Sequence, residues 1–262
     1  MKKLVLALAA TVAFGGSAMA ADLGARPYTK APAPVAMAPS WTGFYIFGGA
    51  GGGLWAADQH VVDTATGIPL SIDQRQGGSG WFGTVGLGYD WQFNSTWVFG
   101  LFADGQFGNI RGTLQDPFFG ITGTVKLEDS WAVGARLGWL IAPNVLSYVN
   151  GGYSGSHWSG ATLLNTFTGL PSGAHTNSFN RNGWFIGGGV ENNLNIFGVT
   201  APGWFMKTEY RSAFYDRKTV DEVIDGTNLL TGNSLRFNAW TQTISTSLVY
   251  RFNWTGPVVA KY

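Results

Sequence analysis

Eight charged residues occupy positions from which they could pair with one another inside one narrow space. Four are acidic and four are basic, so their formal charges cancel. An unpaired buried charge is costly, and opposite charges that share a confined interior should therefore form ion pairs. We predict an internal ion network, with Gln92 and Gln106 supplying further hydrogen bonds. Its charged members are Asp90, Asp104, Arg136, Glu191, Lys207, Glu209, Arg211 and Arg251.

The histidines give no comparable pattern. His60, His157 and His175 are far apart in the sequence, and neither they nor acids such as Asp116 have the spacing of metal ligands. Ser156 and His157 are adjacent, but neighbouring residues on a strand point to opposite faces and would not form a catalytic dyad. The sequence therefore predicts no catalytic residue, no metal site and no bound cofactor.

The composition suits a chain that is surrounded by lipid rather than by water. It contains 39 glycines and 12 tryptophans among 262 residues, and only 12% of its residues are charged, about half of the usual ~25%. The net charge of +1 provides no basic surface for nucleic acid and argues against disorder. The absence of cysteine excludes a disulfide scaffold and a cysteine-based zinc site.

The beginning of the chain has the organisation of a secretory signal peptide. Two lysines precede an uncharged stretch over 4–16, and Ala18 and Ala20 supply the small residues that a cleavage site requires. We therefore predict export, with cleavage between Ala20 and Ala21.

Eight segments show the period-two alternation of transmembrane strands. Large apolar residues fall at every second position, with small or polar residues between them, over about ten residues each. In the segment at 145–154 the register is ambiguous, and we expect Val145, Val149 and Tyr153 to face outward. The other segments are 44–54, 81–93, 97–109, 130–141, 184–191, 204–211 and 244–252.

One of these strands decides which face of the sheet meets lipid. At 204–211, Lys207, Glu209 and Arg211 all lie on the face opposite Trp204. A cation on the lipid face at mid-membrane costs about 2–4 kcal/mol, so these three side chains must point into the lumen. We therefore predict an all-β fold, an eight-stranded antiparallel up-and-down transmembrane β-barrel.

The connections between these segments alternate in length. Tight turns at 94–96 and 142–144 and a medium one at 193–203 suit the periplasmic side of a bacterial outer-membrane barrel. The remaining connections are predicted to be long outer loops, at 56–79, 111–124, 156–181 and 212–237.

The 12 tryptophans support this topology, because they divide six and six between the two sets of strand ends, as two aromatic girdles would require. The predicted periplasmic ends carry Trp41, Trp91, Trp97, Trp139, Trp204 and Trp254, and the outer ends carry Trp55, Trp81, Trp131, Trp158, Trp184 and Trp240.

The chain therefore divides into four parts. Residues 1–20 are the signal peptide, and 21–40, with four prolines, are an extended periplasmic leader. Residues 41–252 form the outer-membrane barrel, and 253–262 form a C-terminal periplasmic tail.

Four short motifs follow one another along the barrel. They are Trp41-Thr42-Gly43-Phe44-Tyr45, Gly187-x-Gly189-x-Glu191, Lys207-x-Glu209-Tyr210-Arg211 and Leu248-Val249-Tyr250-Arg251-Phe252. In this order they resemble the porin-family outer-membrane immunogenic proteins, which are small Gram-negative barrels similar to the transmembrane domain of outer membrane protein A. The resemblance extends over roughly 41–262, and the signal peptide and the leader that precede this range resemble the family as well.

The resemblance implies a set of surroundings and partners. These are outer-membrane lipid, lipopolysaccharide and the barrel-assembly machinery, which would insert the chain through its last strand. Residues 253–262 continue past Phe252, the usual terminal aromatic, and this leaves open which residue ends the insertion signal. The Ala21-Asp22 terminus looks like the start by which some relatives are linked to peptidoglycan, so peptidoglycan is a further expected partner.

Three functions stay open at this point. The first, which the resemblance favours, is a structural envelope protein and surface antigen whose lumen is largely plugged by the ion network. The second is a porin-like channel for small solutes. The third is a receptor whose loops bind a ligand such as haem.

Overall fold

The computed structural model describes residues 40–196 and 199–252. In these ranges the chain forms 11 strands, and paired strands are antiparallel. Within the same ranges no helix has the length and apolar character needed to cross a membrane. The strands are β1 (Gly43–Asp63), β2 (Gln74–Gln92), β3 (Trp97–Asp116), β4 (Ile121–Ala142), β5 (Val145–Trp158), β6 (Ala161–Asn165), β7 (Pro171–Thr176), β8 (Phe179–Ile196), β9 (Val199–Tyr215), β10 (Lys218–Ile224) and β11 (Leu230–Arg251).

Eight of the strands close into a ring, which confirms the predicted eight-stranded antiparallel barrel. The order around the ring is β1, β2, β3, β4, β5, β8, β9 and β11. The last strand pairs with the first from Tyr45 opposite Arg251 to Asp63 opposite Asn233. Each strand of the ring is thus hydrogen-bonded on both sides, as a sheet surrounded by hydrocarbon must be.

The outer surface of the ring carries the predicted apolar face. On β2, Trp81, Val85 and Leu87 are each more than half exposed on the outside of the barrel. The segment with the ambiguous register follows the same rule, because Val149 and Tyr153 are exposed whereas Tyr148 is buried. The outward orientation predicted for Val149 and Tyr153 is confirmed.

Above the ring the barrel continues as a second level, which we call the upper tier. β5, β8 and β9 end at its base, and β6, β7 and β10 take their places between β4 and β11. β6 pairs with β4, and β10 pairs with β11. The upper tier consists of residues 55–79, 109–128, 156–181 and 215–240.

The prediction of long outer loops is therefore wrong, because strands occupy most of those four segments. On β1, Leu54 still faces outward, but beyond it Ala57 and Val61 are buried inside while Asp58 and His60 lie on the outer face. Water rather than lipid surrounds the upper tier, so its outer face is polar and its inner face apolar. The alternation that marks a strand in lipid is inverted here and was therefore missed.

Two large apolar clusters fill most of the interior, one in the upper tier and one lower in the ring, and a small third cluster of Ile121, Leu163 and Ala174 lies in the upper tier. The upper cluster contains Trp55, Ala57, Val61, Phe82, Ile110, Leu114, Val125, Leu127, Trp158, Phe179, Val220, Leu235, Phe237 and Ala239. The lower cluster contains Trp41, Tyr45, Phe47, Val98, Phe102, Ala132, Leu146, Tyr148, Phe185, Phe205, Ala213, Tyr215 and Val249.

The assignment of all the tryptophans to two girdles is wrong for three of them. Trp41, Trp55 and Trp158 are at most 1% exposed and belong to the interior clusters. Position along the chain does not determine whether a side chain faces the lipid or the interior, and Trp55 lies within β1 rather than at its end. Trp254 lies outside the described residues.

Glycines on the inner wall make room for the large interior side chains. Gly88 on β2 is paired with Tyr45 on β1, and a side chain at position 88 would overlap the tyrosine hydroxyl. Gly86 is likewise paired with Phe47, and a side chain at position 86 would overlap the phenylalanine ring. The glycine-rich wall is therefore required by the aromatic filling, because a packed interior has no spare volume.

Candidate functional site

Four charged side chains form a closed cycle of ion pairs across the lumen, which we call the ion quartet. They come from β2, β4, β8 and β11, which are alternate strands of the barrel ring. Asp90, Arg136, Glu191 and Arg251 follow one another around the cycle, so that each charge contacts two opposite charges.

The distances in the ion quartet are those of direct ion pairs. Arg136 Nη2 lies 2.5 Å from Asp90 Oδ2, and its Nη1 lies 3.1 Å from Glu191 Oε2. Arg251 Nη2 lies 2.8 Å from an oxygen of each of the same two carboxylates. All four residues are at most 4% exposed, and their formal charges cancel.

The other four predicted residues form a second group, the central ion group, on β3 and β9. Arg211 donates from Nη1 and Nη2 to the two oxygens of Asp104, at 2.8 and 2.6 Å. Its Nη2 also lies 2.7 Å from Glu209 Oε1. Lys207 Nζ is 3.6 Å from the other oxygen of Glu209. The charges in this group cancel as well.

Aromatic rings complete both groups. The Arg136 guanidinium stands 4.4 Å from the ring centre of Tyr45, and Lys207 Nζ stands 3.3 Å from that of Phe47. Tyr148 joins the two groups, because its hydroxyl donates to Glu209 at 2.8 Å while its ring lies 5.1 Å from the Arg136 guanidinium. Cations held over aromatic faces away from water gain up to about 2 kcal/mol.

The alternation of the strands brings all eight predicted charges into the lumen, but two further assignments differ. Gln92 Oε1 accepts from the backbone N–H of Trp41 at 2.9 Å, and Gln106 is hydrogen-bonded to Ser130 at 3.5 Å. Among the hydrogen bonds of the described ranges, neither glutamine reaches an ion of the network. The predicted role of Gln92 and Gln106 in the network is therefore wrong.

The tyrosines of the network were missed from the sequence. Tyr45 occupies an inward position on a strand whose inward residues are mostly glycine, and Tyr148 lies in the segment whose register was ambiguous. The inward alternation of β1 and β5 was the signal that could have identified both of them.

The three histidines lie in separate contacts on the upper tier. His60 Nδ1 is 2.7 Å from Asp73, and His175 Nδ1 is 2.6 Å from Asp225. His157 contacts Asn180 and lies 3.6 Å from Glu128. In the part of the chain that the structure describes, no three metal-binding side chains of His, Asp or Glu come together.

Ser156 and His157 also stay apart. Ser156 is buried and accepts a hydrogen bond from the Trp158 indole N–H at 2.9 Å, whereas His157 points to the outer face. The geometry matches the expectation that adjacent residues of a strand would not act as a dyad.

A pair of buried carboxyl groups in the upper tier was not predicted. Asp116 at the end of β3 and Glu222 on β10 are each 1% exposed. Burial, together with the charge of Asp116 and a hydrogen bond to it, raises the pKa of Glu222 from 4.5 to about 8. Near neutral pH the pair of carboxyl groups therefore holds a proton.

A closed antiparallel barrel with an apolar outer face and paired charges in its lumen defines the class of transmembrane β-barrels. The chain belongs to the family described as the outer membrane protein beta-barrel domain, whose model matches residues 6–252. It is accordingly a protein of the Gram-negative outer membrane.

Two similar proteins are each called 31 kDa outer-membrane immunogenic protein. They come from Brucella melitensis biotype 1 and Brucella suis biovar 1, and each is 29% identical over 258 residues, which is 96% of this chain and 100% of the relative.

Solved structures of similar proteins include the outer membrane protein OprG from Pseudomonas aeruginosa. It has a TM-score of 0.48 and 12% identity, with 80% of this chain and 97% of OprG covered. Neisserial surface protein A has a TM-score of 0.37 and 16% identity, with 80% and 98% covered.

Proposed function

We propose that this protein is a structural component and surface antigen of the outer membrane, with a lumen closed by its own side chains. The observation that carries the proposal is the pairing of the eight charges of the ion network with one another across the lumen. A water-filled pore leaves the groups of its wall in contact with a water column, whereas these groups are buried and neutralised by protein partners.

Closure of the lumen is supported at three heights. The ion quartet spans the lower part together with the lower apolar cluster, and the central ion group lies above it. The upper apolar cluster then fills the upper tier, where the Arg181 guanidinium lies 3.9 Å from the ring centre of Phe237. A solute would have to displace ion pairs and packed aromatic rings together, which favours a closed barrel.

The role as a surface antigen follows from the upper tier and from the relatives. The Brucella proteins are named as immunogenic, and antibodies recognise what protrudes from a cell. In this chain the hairpin turns of the upper tier are the parts farthest from the lipid-facing belt. We propose these exposed turns as the epitopes, for example residues 64–67 and 166–170.

A non-enzymatic role is part of the same proposal. The eight charged groups of the ion network are paired with one another and shielded from water, so they offer a substrate no free acid or base. Their contribution is to tie alternate strands together, which suits a protein that supports the mechanical integrity of the envelope.

Single-channel recording of the purified mature protein in a planar bilayer tests the closed lumen. We expect no stable large conductance steps, under conditions in which a general porin gives them. A variant with Arg136→Gln and Arg251→Gln should give more frequent small openings, because two carboxylates of the quartet then lack partners. Stable large steps from the wild-type protein would refute the plug and favour the channel.

Antibody binding and envelope assays test the other half of the proposal. Antibodies raised against the turn at 166–170 should label intact cells. A deletion strain should become more sensitive to detergent, and the wild-type gene should restore its resistance. Unchanged sensitivity in the deletion strain would remove the envelope role, and a haem-dependent spectral shift of the purified protein would favour the receptor.

A further inference from the structure

Four hairpin turns form the top of the upper tier, and all four carry exposed apolar side chains. The turns connect β1 to β2, β3 to β4, β6 to β7 and β10 to β11. Nine Ile, Leu and Phe side chains in or beside these turns are between 40% and 92% exposed. We call this set the apolar crown; it consists of Ile68, Ile72, Phe118, Phe119, Phe167, Leu170, Ile224, Leu229 and Leu230.

The turns are joined to one another by their backbones. Thr64 N–H donates to the carbonyl of Gly232, and Asp225 N–H donates to that of Gly173, both at 2.8 Å. Thr166 N–H donates to the carbonyl of Gly120 at 2.7 Å. Neighbouring turns are thus linked, so the apolar crown is one surface rather than four independent loops.

Local caps hold the aromatic residues at the apex of their turns. Asp116 Oδ1 accepts from the N–H groups of Phe118 and Phe119 at 2.8 and 3.2 Å. Asn165 Oδ1 accepts from the N–H of Phe167 at 3.0 Å in the same manner. The Phe118 and Phe119 rings meet edge to face, with centroids 4.9 Å apart. The turns therefore present these rings in a defined position instead of letting them fold back into the core.

The exposure of the apolar side chains in the crown is best explained by a binding partner. Turns favour Gly, Asn, Asp and Ser, and large apolar patches outside the lipid belt mark interaction sites. Phe167 is 92% exposed and Ile72 is 81% exposed, although the upper tier has a filled apolar core below them. Folding of the barrel does not account for their position.

The charge of the apolar crown restricts what it can meet. The turn segments 64–73, 117–120, 166–173 and 225–230 contain no Lys or Arg. Their acids Asp73 and Asp225 lie against His60 and His175, at 2.7 and 2.6 Å. Arg236 Nη2 comes close to Gly67, but Asp63, which accepts a hydrogen bond from the Thr66 N–H, stands in the same turn. With at least as many acids as cations, the crown has no net attraction for anionic headgroups or acidic polymers, so an electrically neutral surface fits best.

The shape of the apolar crown restricts the partner further. Its side chains project separately from four turns, and open space surrounds the glycines beside them at 169, 173, 226 and 232. A folded protein would need a matching pocket for each projection, whereas a fluid lipid surface adapts to all of them at once. Aromatic and aliphatic side chains insert readily at the boundary between headgroups and acyl chains.

We propose that the apolar crown docks on a second membrane, by inserting its Phe, Leu and Ile side chains between zwitterionic lipid headgroups. β1 continues from Leu54 to Asp63, which is about 30 Å along the strand, so the crown stands well clear of the bilayer that holds the barrel. Many copies in one outer membrane would act together on the facing surface, which turns a weak single contact into lasting adhesion.

Co-flotation tests this proposal with the full mature chain held in lipid nanodiscs. The nanodiscs are mixed with uncharged phosphatidylcholine vesicles and centrifuged through a density gradient, with empty nanodiscs as the blank. We expect the protein to float with the vesicles, and binding to be insensitive to salt. Replacing Phe118, Phe119 and Phe167 together by Ser should weaken binding roughly tenfold or more, since three inserting rings are lost.

A matched variant separates chemistry from folding. Phe118→Leu, Phe119→Leu and Phe167→Leu together keep the apolar surface and should bind like the wild type, and heat-modifiable gel migration checks that each variant is a folded barrel. Absence of flotation, or flotation only with vesicles that contain anionic lipid, would overturn the proposal. Dimers of protein-loaded nanodiscs that the Ser variant abolishes, without vesicle binding, would also overturn it and make a second copy the partner.

Discussion

Arg211 on β9 holds the carboxylate of Asp104 on β3 with two hydrogen bonds, at 2.8 and 2.6 Å, across the full width of the barrel. β3 and β9 lie four positions apart in a ring of eight, so they are opposite strands. This contact therefore ties the two sides of the wall together directly. The ion quartet does the same for the four alternate strands β2, β4, β8 and β11.

The first prediction concerns this contact across the lumen. Asp104→Asn leaves the central ion group with an excess positive charge, and breaking a buried pair costs about 3–5 kcal/mol. We expect the variant to lose its heat-resistant gel migration at a lower temperature than the wild type. The double variant with Asp104→Asn and Arg211→Gln leaves Glu209 paired with Lys207, so it should recover part of the loss. A double variant less stable than both single variants would contradict the pairing.

The second prediction is a pH dependence of the upper tier. Glu222 has a pKa of about 8 in the folded protein and 4.5 ordinarily, so the folded state keeps a proton that the unfolded state releases between these values. The contribution of this group to the free energy of unfolding is therefore complete below about pH 4.5 and is lost as the pH rises through 8. We expect the upper tier to be cut by protease roughly tenfold faster at pH 9 than at pH 6.

Glu222→Gln supplies the control for this pH dependence. The amide keeps the shape of the protonated side chain and cannot lose a proton, so the rate of cutting should change little between pH 6 and pH 9. Equal sensitivity to pH in both proteins would exclude Glu222 as the titrating group.

The third prediction concerns the interior tryptophans. Trp158 is fully buried in the upper cluster and Trp131 is 44% exposed on the outer face. Trp158→Ala should destabilise the upper tier by about 3–5 kcal/mol, because it leaves a large cavity. Trp131→Ala should have a much smaller effect. Amide hydrogen exchange in β6 and β7 measures the difference, and similar exchange in both variants would place Trp158 outside the core.

The lipid-facing strands could be predicted from the sequence because placing their polar face against lipid would cost free energy, whereas placing their apolar face there would not. The charges of β9 at Lys207, Glu209 and Arg211 cannot face lipid, and this requirement fixed the orientation of the strand. It also placed the lumen charges on the inner wall. The partners could not be predicted, because Arg136 meets Asp90 and Glu191 from strands that are not its neighbours, and strand register decides such contacts.

The upper tier could not be predicted for a different physical reason. At Trp55 the chain leaves the lipid, and the same strand then buries apolar residues inward while its outer face turns polar. The short strands β6, β7 and β10 carry too few residues for a clear period. The burial of Glu222, which lies in one of these segments, could not be predicted from the sequence for the same reason.

The fourth prediction tests the orientation of the barrel in the membrane. The natural chain has no cysteine, so a single introduced thiol reports only its own position. Thr168→Cys in the β6–β7 turn should react with a membrane-impermeant maleimide on intact cells, and Ser95→Cys in the β2–β3 turn should react only after the envelope is opened. The reverse pattern would mean that the barrel is inserted the other way round.

The fifth prediction concerns the N-terminus, which lies outside the described residues. Ala18 and Ala20 fit the small positions before a signal-peptidase cut, because the peptidase accepts only small side chains there. N-terminal sequencing of the envelope protein should therefore begin Ala21-Asp22-Leu23. Ala20→Arg should block cleavage and leave a larger precursor, whereas Ala20→Ser should be processed normally. Retention of Met1 in the wild-type envelope protein would contradict cleavage, and digestion of the sacculus that releases no muropeptide bearing Ala21 would argue against attachment to peptidoglycan.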